Sequence, residues 1–379
     1  MTQKVDRLLD LLILVGYSVA FPVNLAKRLS GHEQYDRCVM YRAIREGYVR
    51  LMRKEGKRQV IRSLLLTEKG EEYIAARNTD ALAMIWGRMG MAPQVFPSRE
   101  AKVLRLHAIA TGLVMARAAG AVISSLEKPS LLLISRGLMN PPVDEEKAYY
   151  YAPFELQAAF EELDDRVEAK TSRLIGIIVR KKRCFCLYYA GNKRIFWQRL
   201  SEENHVVGIR GLLQARGFRI DTITQIVIGN RMSVAEKLCR SPRLKGDKYF
   251  VVSDFFENCF FVTNDAAGDR LLPRIIRPLS FLDYDWQALA SYLPPRTFGR
   301  ICDAEEAHTG RPVLLNHNCD LLLLEQLRQQ SYGFQAKPIV LCHDYQKEVM
   351  EHILGDSAEV RATDRTANDE DSGPIADRL

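Results

Sequence analysis

Between Gly47 and Gly70 the chain sets Arg50, Arg53, Lys54, Lys57, Arg58 and Arg62 about the turn Lys54-Glu55-Gly56-Lys57. Cations at this density suit a line of phosphates, because each phosphate neutralised by Lys or Arg releases condensed counterions and adds salt-sensitive affinity. Residue types able to carry catalysis are also present, but without the spacing that catalysis needs. The seven histidines, His32, His107, His205, His308, His317, His343 and His352, include no two separated by a single residue. The His-hydrophobic-His pair that holds a metal beside the tyrosine of a common relaxase is therefore missing, and Tyr149–Tyr151 and Tyr188–Tyr189 are assigned to sheet packing. No G-x-x-x-x-G-K-[ST] phosphate loop occurs, and the glycines of "GIRGLLQARGF" from Gly208 lie in a helical stretch. No Gly-x-Ser-x-Gly elbow occurs either.

The eight cysteines, Cys38, Cys184, Cys186, Cys239, Cys259, Cys302, Cys319 and Cys342, form no C-x-x-C pair and sit in apolar surroundings. Small buried thiols are the expectation, with no metal site. Cys184 and Cys186 alternate along a strand, which turns both to one face. His317 and Cys319, with Asn316 and Asn318, make a polar turn between strand and helix that is expected to cap the helix. No cofactor is implied.

The basic cluster belongs to a basic end. The 379 residues carry a formal charge of +7, and residues 1–77 hold fifteen Lys or Arg against nine Asp or Glu, which leaves +1 for everything after them. With 47% hydrophobic and 27% charged residues the composition is that of an ordinary soluble protein. No apolar run is long enough to span a membrane, and the first residues lack the apolar core of a secretory signal, so the cytoplasm is the expected location. The last 24 residues, from Asp356, hold seven acids and three arginines without apolar period, and are expected to form a disordered acidic tail.

Periodicity supplies the elements that must position the cations. Val5, Leu8, Leu9, Leu12 and Ile13 form one stripe of a first helix ending near Gly16. Pro22 suits the first turn of a second helix bearing Val23, Leu25, Ala26 and Leu29, broken at Ser30-Gly31-His32. A third helix is predicted over residues 34–46, with Tyr35, Val39 and Ala43 inward and Arg37, Tyr41 and Arg45 outward. Two strands, 48–53 and 58–66, form a hairpin about Gly56, and Thr67 caps a further helix. Helix, helix, helix, hairpin, helix is the order of a winged helix-turn-helix domain over residues 1–78. The third helix would enter a major groove and the hairpin would lie on the flanking phosphates. Gln34, Arg37, Tyr41, Arg42 and Arg45 from the helix, with Arg53, Lys54, Lys57 and Arg58 from the hairpin, are the candidate DNA-binding residues.

Residues 79–130 are predicted to form a helical connector, including "SREAKVLRLHAIATGLVMARAAGAVIS" from Ser98, in which Leu104, His107, Ala108, Thr111 and Met115 share a face and His107 is a packing residue. From 131 to 355 short strands interleave with helices. "SRLIGIIV", "RCFCLYYAG", "KRIFWQ", "TQIVIGN", "KYFVVSDFF", "NCFFVTND", "PVLLNHN" and "KPIVLCHD" are the strands, which makes this a mixed α/β domain and the whole chain an α+β protein.

An N-terminal winged helix, the run "LRLH" at Leu104–His107 and a mixed domain holding "SRLIGIIV" and "CLYYAGNKRIFWQ" together resemble the replication-relaxation proteins of bacterial plasmids and integrative elements. The resemblance spans residues 1–240. It implies a DNA-binding accessory protein of replication or conjugative transfer, with duplex DNA as partner. A relaxase or another element-encoded protein, and a second copy of the chain, are the protein partners it admits. It also implies a restriction-endonuclease-like core in the second domain. A nuclease of that type needs an acid on one central strand and an acid-x-Lys on the next to hold Mg²⁺. Arg183–Tyr189 and Lys193–Gln198 contain no acid, and Glu155, Asp164, Asp165 and Glu168 belong to a charged helix expected to face solvent. The core is thus expected to be degenerate and the protein to bind rather than to catalyse. The alternatives are a winged-helix transcriptional regulator, which would act as a dimer, and a metal-dependent nuclease.

Overall fold

A computed structural model describes residues 6–56, 60–89, 94–124, 127–132, 140–163, 172–240, 249–277, 288–294, 302–330 and 336–363. The first helix, α1 (Arg7–Ser18), begins where the Asp6 carboxylate accepts the amide hydrogens of Leu8 and Leu9, at 3.1 Å each. Val19 then turns the chain sharply: at φ 69° and ψ −50° it centres a three-residue turn closed by the Ala20 N–H on the Ser18 carbonyl at 2.8 Å. The segment after it is not the predicted second helix. Phe21–Pro22 forms strand β1, paired with Leu64 and Ser63, and only Leu25–Lys27 coils, as one 3₁₀ turn. The edge of β3 decides this: it takes up Phe21 and Pro22 as partners of Leu64 and Ser63, which holds Phe21 extended and fully buried.

Helix α2 (Glu33–Arg45) ends at Gly47, whose φ of 78° lets the Tyr48 N–H close on the Ala43 carbonyl at 2.9 Å and launches the hairpin β2 (Val49–Glu55) and β3 (Val60–Leu66). The sheet order is β1-β3-β2, antiparallel throughout. Helix α3 (Glu68–Ala75) follows, and the Thr67 hydroxyl accepts the Gly70 N–H at 3.2 Å as its cap. Helix α4 (Thr79–Met89) completes this part of the chain.

Helix α5 (Glu100–Ala118) leads into a six-stranded sheet. Its strands, in spatial order, are β4 (Ala121–Val122), β5 (Ala148–Tyr151), β6 (Leu174–Arg180), β7 (Arg183–Gly191), β8 (Thr222–Gly229) and β9 (Cys259–Thr263). Only β6 runs against the rest. Period-two alternation divides the sheet's side chains between two layers. Ile178, Phe185, Leu187, Ile226, Ile228 and Val262 pack with α5 and α9 (Ala266–Ile276). Cys184, Cys186, Tyr188, Val227 and Phe261 face α6 (Pro153–Glu162), α7 (Arg199–Ala215) and α8 (Ser233–Cys239).

A second sheet, β10 (Ala304–Glu305), β11 (Pro312–Leu315), β12 (Ile339–Cys342) and β13 (Glu359–Ala362), carries the helices Leu321–Gln330 and Asp344–Leu354 and shares the second of those layers. The chain is therefore mixed α and β, with eleven α-helices and three sheets among the described residues.

Two expectations change here. "KRIFWQ" and "KYFVVSDFF" form no strand; they meet at one isolated bridge, Phe196 to Tyr249. The chain also stays in the fold past Asp356, since β13 pairs in parallel with β12 and its Glu359 is held by Arg311 at 2.7 Å and Arg361 at 2.6 Å. An acid that looked like tail solvation is part of an ion pair on the sheet; residues 364–379 lie outside the described residues.

The connector is not a spacer. Eleven of the nineteen residues of α5 are buried, because one side meets β6 and β7 while the other meets α1 and β1. Leu104, expected on its packed face, is 41% exposed. One apolar cluster consequently runs from Leu8, Leu12 and Leu64 through Ile109 and Leu113 to Phe185 and Phe260.

Candidate nucleic-acid interface

Helix α2 turns Asp36, Met40 and Ala43 inward. Tyr35, predicted to be inward, is instead 53% exposed, and Asp36 takes the buried position because its carboxylate accepts the Ser30 N–H at 2.8 Å and pins the turn before the helix. The opposite face consists of Gln34, Arg37, Cys38, Tyr41, Arg42 and Arg45, all exposed, with Tyr41 at 60%. These positions follow the i, i+3, i+4, i+7 rule, so they form one continuous stripe along the helix. Arg37 pairs with Glu33 at 3.5 Å and Arg42 with Glu46 at 2.9 Å, while Arg45 keeps 80% of its side chain in solvent. The hydrogen bond to Glu46 raises the Arg42 pKa and lowers that of Glu46. Both pairs lie at the surface, where water and salt compete with them, so an incoming phosphate can replace the carboxylate.

The hairpin adds a second cationic feature. Arg53 stands directly opposite Arg62 across the β2–β3 pair, and both are exposed. No ion pair joins either to an acid among the described residues. Opposed like charges destabilise a hairpin unless an anion lies between them. Arg62 was not assigned to the site from sequence: a turn at residues 54–57 would set Arg58 opposite Arg53, whereas β2 runs on to Glu55 and brings Arg62 there. Lys54 departs from the expectation. It lies on the other face of β2, half-buried, and donates to the Ser98 carbonyl, which ties the hairpin to the segment entering α5. Lys57 and Arg58 lie outside the described residues.

The cationic elements are held on the body by polar contacts as well as by the shared apolar cluster. Arg28 donates to the Asn264 carbonyl at 2.6 Å and pairs with Asp269 at 3.0 Å, just beyond the end of β9. His107 shares a 2.8 Å hydrogen bond with the Ser63 hydroxyl. Glu155, expected to face solvent, is the hub of a buried set: it accepts from the Tyr17 hydroxyl at 2.8 Å and the Ala152 N–H at 2.8 Å, and pairs with the Lys128 ammonium at 2.7 Å. Lys128 is 1% exposed, and burial draws its pKa down against the opposing pull of Glu155. Asp164, Asp165 and Glu168 lie outside the described residues.

On the sheet, Cys184 and Cys186 are buried free thiols on the face toward α7, and the hydrogen bond between them together with burial holds the Cys186 thiol well above its ordinary pKa. The polar turn at Asn316–Cys319 caps a helix. Asn316 accepts the Asp320 N–H at 2.7 Å, and Asp320 accepts from Leu322 at 3.0 Å and from Cys259 at 3.1 Å. His317 stacks on His343 with ring centroids 4.4 Å apart. Among the described residues no group of three or more His, Cys, Asp or Glu is placed to hold a metal ion, and no helix is long and apolar enough to cross a membrane.

The chain matches no family model, no curated protein and no solved structure.

Proposed function

We propose that this protein binds duplex DNA through a winged helix-turn-helix module formed by α1, β1, the 3₁₀ turn, α2 and the β2–β3 hairpin, as an accessory factor in replication or transfer of a mobile element. The observation that carries the reading is the uncovered stripe Gln34, Arg37, Tyr41 and Arg45 on α2, beside a hairpin bearing the opposed Arg53 and Arg62. In such a module α2 is the helix that enters the major groove, where Arg and Gln forks match paired acceptors and donors on base edges. Arg53 and Arg62 then rest on the adjacent backbone.

The mobile-element setting rests on the resemblance of residues 1–240. Support for a restriction-endonuclease-like body comes from its strand order, a β5-β6-β7 meander followed by parallel β8 and β9 with β6 alone reversed. Neither β6 nor β7 carries an Asp or Glu, which favours binding over cleavage.

Anisotropy of labelled duplexes of varied sequence tests the proposal. Arg37→Ala or Arg45→Ala is expected to weaken the preferred site by about tenfold or more while leaving non-preferred duplexes nearly unchanged. Absence of duplex binding at low salt by the native chain would overturn it.

A further inference from the structure

We propose that the body carries a second nucleic-acid surface, built for unpaired bases, where the segment joining β7 to α7 meets the stretch leading into β9. The Phe196–Tyr249 bridge sets two aromatic residues opposite each other, 40% and 45% exposed. Their neighbours are anchored inward. Ile195 accepts the Phe250 N–H at 2.9 Å, and Trp197 packs edge-on against Phe250 at 5.1 Å and Tyr188 at 4.8 Å. The alternation in–out–in at 195–197 therefore holds Phe196 outward on a rigid base.

Cationic residues adjoin Phe196. Arg173 sets its guanidinium carbon 5.5 Å from the Phe196 centroid, and Lys193 and Arg194 are exposed immediately before it. Arg199 stands between two acids, Glu203 at 2.7 Å and Asp254 at 3.9 Å, whose charge opposes a phosphate there, so it is not counted among them. The occupant must therefore offer flat π faces and negative charge together. Unpaired nucleotides do so: their bases stack on aromatic rings and guanidinium planes, and their phosphates meet Lys and Arg. A duplex does not, because its base faces are already stacked. The proposal stands apart from α2, and either can fail without the other.

The test uses the full chain and a labelled oligothymidylate, with a blunt duplex as a parallel probe. Phe196→Leu with Tyr249→Leu keeps apolar area and removes the π faces. It is expected to lower oligothymidylate affinity about tenfold or more with duplex affinity unchanged, and Phe196→Tyr is expected to retain binding. Lys193→Ala with Arg194→Ala should flatten the slope of log affinity against log salt by about 1.4. Failure of the native chain to bind the oligomer, or undiminished binding by the double leucine variant, overturns the proposal. So does a fall in sedimenting mass on that substitution, which would make the patch a contact between copies.

Discussion

At the scale of single residues, a buried histidine, His205, and a half-buried one, His107, shape the acid behaviour of the fold. His205 on α7 is 4% exposed, with its ring 5.5 Å from that of Phe160, and burial, helped by the nearby Arg105, holds its pKa down at about 4. Burial holds His107 at about 4 as well. In the unfolded chain each returns to about 6.5. Between those values the unfolded state carries protons that the folded state does not, so this stability is complete above pH 6.5 and is lost as pH falls toward 4. Each histidine then costs about 2 kcal/mol at pH 5 relative to pH 7. Glu202, Asp269 and Asp320, whose pKa values burial raises, act with the opposite sign and mask part of the loss in the native protein. Comparison with a variant removes that masking. The urea midpoint of His205→Leu is expected to fall less between pH 7 and pH 5 than that of the native chain, by about 2 kcal/mol of stability, and equal falls would refute the assignment.

At the scale of elements, the hairpin trades stability for charge. Arg62→Glu would give Arg53 an opposite-charge partner across the strands, worth roughly 0.2–1 kcal/mol, in place of a like charge. The melting temperature of the variant is expected to rise while its duplex affinity falls and its salt dependence weakens. A lower melting temperature, or unaltered binding, would show that Arg62 serves the fold alone. The same hairpin shows what could be foreseen. Its strands, the Thr67 cap and the cationic face of α2 were legible because alternation, capping and helical spacing are local signals. Tertiary decisions were not. Phe21–Pro22 became a strand because β3 offered it an edge, and Glu359–Ala362 became a strand because β12 did. Nothing near Glu155 announced that Tyr17, 138 residues away, would donate to it, or that Lys54 would turn from the expected phosphates to Ser98.

At the scale of the whole molecule, the basic module and the body share a core rather than a linker. The cluster that holds Leu12, Leu64 and Ile74 also holds Leu113, Ile178 and Phe260, and α5 lies within it, in contact with α1 and β1 as well as with β6 and β7. Parting the two would uncover apolar surface at about 25 cal/mol per Å² and strand the Lys128–Glu155 pair without the Tyr17 donor. Chains of this length often unfold in stages, but a stage needs a boundary that few contacts cross, and α5 removes that boundary. Two tryptophans report separately on the halves: Trp86, bonded to Glu71 at 3.2 Å, and Trp197, which is 5% exposed in the body. In variants that keep only one or the other, both are expected to show the same urea midpoint. Tyr17→Phe, which deletes one hydroxyl and no packing volume, should lower stability by about 1 kcal/mol for either probe. A shift seen by Trp86 alone would mean that the DNA-facing module unfolds on its own, and that α5 is a hinge rather than a shared core.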